Sequence, residues 1–213
     1  MTKTNSIWEG TKTFFPIFLD RLNNIHTSGN ACVIGAADGK FVIPLAKIGW
    51  KVTAIELDAV SLFGGKVELP NGSTYNLPGL QKRLTEENIN NFVEIINENF
   101  ISTNLLKQYK AIFTSCSWHY SLNHKVPLKD YISKMQSIVA RNGIFCAEYM
   151  MPCEKKHFNI EHYPKEGVIR DYFDTNWEVI EDFYTEVFVE PAHVCNLSDH
   201  KHKMGFFMAL KLS

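Results

Sequence analysis

Apolar residues along the chain switch between two rhythms, and the switching predicts the order of its elements. Ile7 to His26 (IWEGTKTFFPIFLDRLNNIH) carries apolar residues at helical spacing, with Pro16 expected to break or kink the run. Ala31 to Ile34 is a short, continuous apolar run ending at Gly35, as in a strand buried on both faces. Lys40 to Ile48 returns to helical spacing and stops at Gly49, and Val52 to Ile55 reads as a second buried strand. Leu62 to Gly79 (LFGGKVELPNGSTYNLPG) is too rich in Gly, Pro and Asn for a helix. Its Asn71-Gly72, flanked by KVEL and STYN, is a hairpin signal, so the stretch reads as an insertion or lid.

The alternation continues. LQKRLTEENIN is helical, and Phe92 to Phe100 is a third strand with its exit. Ala111 to Ser115 is a fourth strand, LKDYISKMQSIVA an amphipathic helix, RNG a turn, and IFCAEYMM a fifth strand ending before Pro152. GVIRDYF reads as a helix. WEVIEDFYTEVFV and KMGFFMALKL then read as two closing strands, an antiparallel pair joined by EPAHVCNLSDHKH. Strand–helix alternation followed by a final pair predicts an α/β, doubly wound, mostly parallel seven-stranded sheet with a C-terminal antiparallel strand. At 213 residues the chain is expected to form a single domain, 1–213, with residues 1–28 as an N-terminal helical cap.

Charge and composition narrow the function classes. A formal net charge of −1, with Lys and Arg scattered, gives no electrostatic footprint for nucleic acid or for an anionic membrane. No apolar run reaches the ~18 residues that span a bilayer. MTKTNSIWEGTK lacks the apolar core of a signal peptide, and five cysteines without a C-x-x-C pair suit free thiols in a reducing compartment. The expectation is a cytoplasmic enzyme.

The chemistry is expected at the turn Gly35-Ala36-Ala37-Asp38-Gly39. In a doubly wound sheet ligands sit beyond the C-terminal strand ends, and glycine lets a ligand approach the main chain closely. A helix N-terminus at Lys40 would favour an anionic group. Glu56, 17 residues past Gly39 at the end of the second strand, stands where ribose hydroxyls are accepted. A dinucleotide site wants G-x-G-x-x-G, and Lys40 is not small where the last glycine belongs, so a nicotinamide dehydrogenase ranks last.

The turn instead resembles the G-x-G-x-G of class I S-adenosylmethionine-dependent methyltransferases, with Ala37 replacing the middle glycine. Later segments agree in order. IINENF resembles that family's third-strand exit, with Asn99 where an acid usually caps the adenine amino group. YKAIFTSCSWHY resembles its fourth strand, with Lys110 for aspartate, and ARNGIFCAEYMMP resembles its fifth strand and the turn before it. The C-terminal third is similar to the tellurite-resistance and thiopurine-type small-molecule methyltransferases. YPKEGVIRDYFDTNWEVIEDFYTE carries this likeness, as does PAHV, where His193 is kept and the arginine after it is Val194.

The resemblance implies S-adenosylmethionine as cofactor and methyl transfer to a small-molecule acceptor. It implies that Gly35, Ala36, Asp38, Gly39, Glu56, Leu57, Asn99, Phe100 and Ser115 hold the cofactor. Asp38 either meets the cofactor's ammonium or caps the following helix. His119, Tyr120 and His193 are the catalytic candidates, since a histidine that is neutral near pH 7 can take a proton. Trp8, Phe14, Phe15, Tyr149 and Arg170 are the substrate candidates. For Tyr149 the alternative is a core aromatic, and for Arg170 a salt bridge to Glu166 at i−4. Cys116 is either a reactive thiol or a small buried side chain. His193, Cys195, His200 and His202 match no standard zinc spacing, so no metal is expected. The partners expected are a small molecule and, where the chain pairs at all, a second copy of itself. Two alternatives stand beside methylation: another S-adenosylmethionine-using reaction (alkyl transfer, elimination or cyclisation), or a non-catalytic binding module.

Overall fold

The structure, a computed structural model, describes residues 5–193 and 196–213. In chain order these form α1 (Phe15–Ile25), β1 (Asn30–Ile34), α2 (Val42–Lys47), β2 (Lys51–Ile55), α3 (Ala59–Phe63), β3 (Gly65–Glu68), β4 (Thr74–Leu77) and α4 (Gly79–Glu86). They continue with β5 (Val93–Ile96), β6 (Tyr109–Ser115), α5 (Leu128–Ser137), β7 (Val139–Met150), β8 (Trp177–Tyr184), β9 (Phe188–Glu190), β10 (His200–His202) and β11 (Met204–Lys211). Seven strands make one sheet in the order β5-β2-β1-β6-β7-β11-β8, which is the expected fold class. Among the described residues no helix is long and apolar enough to cross a membrane.

The chain groups into two compact units. The first holds residues up to Lys12, Asn30–Thr103 and Val189–His200. In it β1 pairs parallel with β2, Ala31 opposite Val52 and Ile34 opposite Ile55, and β2 pairs parallel with β5. Both β1 and β2 are buried almost throughout, which explains their unbroken apolar runs. The insertion forms the hairpin β3–β4, paired antiparallel from Gly65↔Leu77 to Glu68↔Thr74. Its base requires glycine: a Cβ on Gly79 would lie 2.3 Å from the Gly64 nitrogen, so two backbones cross where no side chain fits.

The second unit holds Thr13–Gly29, Asn104–Phe188 and Lys201–Ser213. Here β6 pairs parallel with β7, and β11 runs antiparallel to both β7 and β8. The expected closing antiparallel pair is therefore present. Its core is aromatic: Phe15 and Phe18 pack on Phe113, and Phe145 meets Phe173, Trp177 and Phe207.

Three local expectations need correction. Helix α1 begins at Phe15 with Pro16 in its first turn, where the missing N–H breaks no bond, so Pro16 starts the helix instead of kinking it. Residues 7–10 are a turn. Arg141-Asn142-Gly143 is no free turn but an irregularity within the long strand β7. Asn142 there takes a left-handed φ of 58° and the β6 register shifts between Tyr109 and Ala111. GVIRDYF holds only a single 3-10 turn, Arg170–Tyr172.

Candidate functional site

In the first unit the turn after β1 bonds back onto β2. The amides of Gly35 and Ala36 both donate to the Ile55 carbonyl, at 2.9 and 3.0 Å. Gly35, Ala37 and Gly39 take φ of 73°, 45° and 95°. Ala37 thus adopts a left-handed backbone without being glycine, a strain of about 1 kcal/mol at the position where the G-x-G-x-G pattern has its middle glycine.

Glu56 follows β2 and is fixed by two main-chain donors. Its Oε2 accepts from the Ala37 amide at 2.9 Å and its Oε1 from the Asp58 amide at 2.8 Å. Each carboxylate oxygen keeps a second acceptor site, so the group is oriented and still able to receive hydroxyls. Asn97 Nδ2 donates to the carbonyls of Glu56 and Leu57, both at 3.0 Å, and so braces the segment after the strand. Leu57 is 48% exposed, an apolar side chain held out beside an oriented carboxylate.

Other cofactor candidates turn inward. Asp38 is fully buried; it accepts from Ser6 Oγ at 2.6 Å and the Ile7 amide at 2.9 Å, and Arg83 Nη1 stands 3.4 Å from its Oδ2. Arg83 also donates to the Asp38 carbonyl. Asp38 does not cap α2, whose N-cap is Phe41 without a side-chain bond, and its carboxylate is taken up in anchoring the N-terminal segment. The helix also starts at Val42 and spans six residues, so it offers less than the expected Lys40 N-terminus. The Lys40 ammonium instead holds Thr11 through its carbonyl at 2.9 Å and its hydroxyl at 2.8 Å. Asn99 folds its Oδ1 onto the Ile101 amide at 2.9 Å, closing its own turn, and Phe100 is 4% exposed, so its ring is core.

In the second unit Cys116 follows β6 with φ 50°, and its amide donates to the Glu148 carbonyl at 2.8 Å. Its thiol is in no disulfide and is half-buried. Ser115 donates its hydroxyl to the Glu148 carboxylate, which lies fully buried and also accepts from Thr13 Oγ1 and from the Phe14 amide at 2.7 Å. The Ser115 proton is thus committed to that carboxylate. Trp118 is buried between Tyr131 and Tyr149.

His119 follows, its ring 4.4 Å from Tyr120 and edge-on to Tyr163, which stacks flat on His157 at 4.2 Å. Burial among these rings pushes the His119 pKa down to about 4, opposed by a hydrogen bond to the Cys116 backbone and reinforced by neighbouring histidines. The imidazole is therefore neutral at pH 7, and it is a weak base. Tyr120 is 45% exposed beside it.

The substrate candidates divide. Phe15 is buried in the core, while Phe14 is half-buried and packs edge-on against Phe183 and Phe206. Tyr149 is 1% exposed and covers Gly205, where an added Cβ would fall 2.4 Å from its ring; it is the core aromatic of the two readings. Burial pushes its phenol pKa up. Arg170 pairs with Asp182 at 2.8 Å and Glu166 pairs with Lys203 at 2.7 Å, so the ion pair expected between Arg170 and Glu166 is made to Asp182 instead. In the first unit Trp8 stays half-buried, edge-on to His193 at 5.4 Å. Val194 and Cys195 lie outside the described residues.

Sequence reasoning missed Arg83, Asn97, Glu148 and Glu190. Glu148 carried the clearest signal, a lone acid inside the apolar run IFCAEYMM, because a charge in a buried strand must be hydrogen-bonded.

Neither the known protein-family models nor the curated proteins include a match to this sequence. Solved structures do resemble it. TehB from Haemophilus influenzae superposes with a TM-score of 0.71 at 16% identity over 95% of this chain. The chain spans 64% of that TehB chain. The glycopeptide N-methyltransferase MtfA, in complex with S-adenosyl-L-homocysteine, gives a TM-score of 0.58 at 14% identity, covering 92% of this chain and 88% of that one. The N-methyltransferase NodS from Bradyrhizobium japonicum WM9 gives 0.58 at 10% identity, covering 93% and 94%. The fold is that of the class I S-adenosylmethionine-dependent methyltransferases.

Proposed function

We propose that this chain transfers a methyl group from S-adenosylmethionine to a small-molecule acceptor by in-line displacement. The observation that carries the reading is Glu56, a carboxylate at the end of β2 held by the Ala37 and Asp58 amides with acceptor capacity left on both oxygens. A ribose diol needs two oriented acceptors, and the exposed Leu57 next to it offers the apolar face that an adenine ring needs. The fit is good at the nucleoside end. At the amino-acid end Asp38 is taken up by Ser6, Ile7 and Arg83, so that end is held by main-chain groups of the turn.

The bound sulfonium supplies an already activated methyl group, which leaves the protein the tasks of alignment and water exclusion. A base is needed only where the acceptor atom must lose a proton. His119, neutral at pH 7, serves as an acceptor of a hydrogen bond that orients the nucleophile, with Tyr120 beside it. Trp8 and His193 form a second aromatic pair available to an acceptor. The net charge of −1 supports a small molecule over nucleic acid.

The test is product analysis. Incubation with labelled S-adenosylmethionine and a panel of amine, phenol, thiol and metalloid acceptors is expected to yield S-adenosylhomocysteine together with a labelled acceptor. Turnover without S-adenosylhomocysteine would point to one of the other reactions of the same cofactor. No turnover and no binding would leave a non-catalytic module.

A further inference from the structure

We propose that Glu190, His193 and His200 form a binding site for a divalent transition-metal ion of the zinc class. The proposal stands independently of methyl transfer, because it concerns residues that the cofactor reading does not use for the nucleoside.

The chain brings the three together by reversing on itself after β9. The His193 amide donates to the Asn196 carbonyl at 2.8 Å and the Asn196 amide returns to the His193 carbonyl at 2.9 Å, an antiparallel bridge. The Ala192 amide donates to Asp199 Oδ1 at 3.2 Å across the same loop. Glu190 Oε2 then lies 3.3 Å from His193 Nε2 and 3.8 Å from His200 Nε2, with the two rings 4.9 Å apart. All the candidate ligand atoms fall within 4.8 Å of one another. A tetrahedral ion with bonds of about 2.0–2.1 Å sets its ligands about 3.4 Å apart, so the Glu190–His193 pair is already at that spacing, the Glu190–His200 pair at 3.8 Å is close to it, and the set, which spans up to 4.8 Å, tightens on binding.

The surroundings prepare the donors. Glu190 is 7% exposed, and its second oxygen, Oε1, accepts from the Lys12 amide at 3.0 Å, which aims Oε2 at the imidazoles. His200 Nδ1 lies 2.8 Å from the Ser198 carbonyl; donation to it fixes the tautomer in which the Nε2 lone pair faces Glu190. A main-chain amide on the far side of Glu190 and a carbonyl on the far side of His200 form the outer arrangement that metal-binding histidines and carboxylates use. Glu190 places a carboxylate with 7% exposure beside the two imidazoles, a negative charge that a divalent cation compensates. A His₂Glu set leaves a fourth position for water or substrate. His202, two positions along β10 on the same strand face as His200, is the next donor along the chain. The spacing E-x2-H-x6-H matches no standard pattern, and its acid precedes the histidines, which is why spacing alone sets aside the metal reading of His193, His200 and His202.

The experiment is equilibrium dialysis of the full chain, stripped with chelator, against zinc, with cobalt as an optical probe. One equivalent of zinc per chain is expected, with visible cobalt bands of a tetrahedral nitrogen–oxygen site. Glu190→Gln and His193→Ala are each expected to weaken binding about 100-fold or more, and His26→Gln, a histidine elsewhere on the chain, to leave it unchanged. Zinc should also raise the melting midpoint of the wild type and not that of His193→Ala. Far-UV circular dichroism shows that each variant is folded, and His193→Ala, whose side chain is the more exposed, carries the test should Glu190→Gln fail to fold. A folded wild type that takes up no stoichiometric zinc overturns the proposal, as does uptake equal in all variants. Because no S-adenosylmethionine is present and Glu56 is unaltered, either outcome leaves the reading of the nucleoside site untouched.

Discussion

Each unit buries one carboxylate completely, and each uses it to hold a stretch of the N-terminal chain. In the first, Asp38 receives Ser6 and Ile7; in the second, Glu148 receives Thr13 and Phe14. The settings differ. Asp38 sits inside a glycine turn and is paired with the Arg83 guanidinium, while Glu148 sits mid-strand and gathers two hydroxyls and an amide. One looked functional in sequence and the other looked like core, yet both anchor the fold. Position within a motif says where a carboxylate stands, and only its neighbours say what it does.

Removing each carboxylate is the strongest way to break the comparison. Asp38→Ala strands a buried guanidinium and is expected to cost about 4 kcal/mol of stability in urea unfolding, the largest effect of any single change here. Glu148→Ala strands only neutral donors and should cost about 3 kcal/mol. An unchanged midpoint in either would mean that the N-terminal segment is not anchored as described. Gly205→Ala drives a methyl group into the Tyr149 ring and should cost about 2 kcal/mol, whereas Gly72→Ala, with open space around it, lacks that clash.

Acid should then act on the second unit through His119. Its folded pKa, about 4, lies below the ordinary 6.5, so the unfolded chain binds the proton more readily. The stability it contributes is complete above pH 6.5 and is lost as the pH falls from there to about 4, on the order of 3 kcal/mol. His119→Gln should flatten that part of the stability profile, measured by urea midpoints at each pH. The smallest expected effect is a gain: Ala37→Gly relieves the left-handed strain in the turn, offset by the added freedom of the unfolded chain, and should change stability by under about 1 kcal/mol while leaving cofactor affinity intact.

Much of the fold was legible because buried parallel strands are written as continuous apolar runs and turns as glycine or Asn-Gly. The Ala31–Ile34 and Val52–Ile55 strands, the hairpin around Asn71-Gly72 and the closing pair all follow from such local signals. The position of Glu56 was legible for the same reason, since it depends on the end of one strand and the turn beside it. Partners far apart in sequence were not. Nothing local indicates that Asp38 meets Ser6 and Arg83, that Ser115 bonds Glu148, or that Arg170 chooses Asp182 over Glu166. Phe15, Tyr149 and Phe100 are ligand-contact candidates whose sequence positions say nothing of their burial, which places all three in the core. Glu190 failed as a signal because its meaning depends on a chain reversal that brings it back onto His193 and His200.

The central claim is that the first unit holds the nucleoside of S-adenosylmethionine on Glu56. Calorimetric titration with S-adenosylhomocysteine tests it, run on the wild type, on Glu56→Gln and on His119→Gln, with NAD as control. The account predicts binding to the wild type and to His119→Gln, about tenfold or weaker binding to Glu56→Gln, and none of NAD, the lost ribose hydrogen bonds being worth about 1–3 kcal/mol. Equal affinity in Glu56→Gln and the wild type, or no binding by a folded wild type, would contradict it.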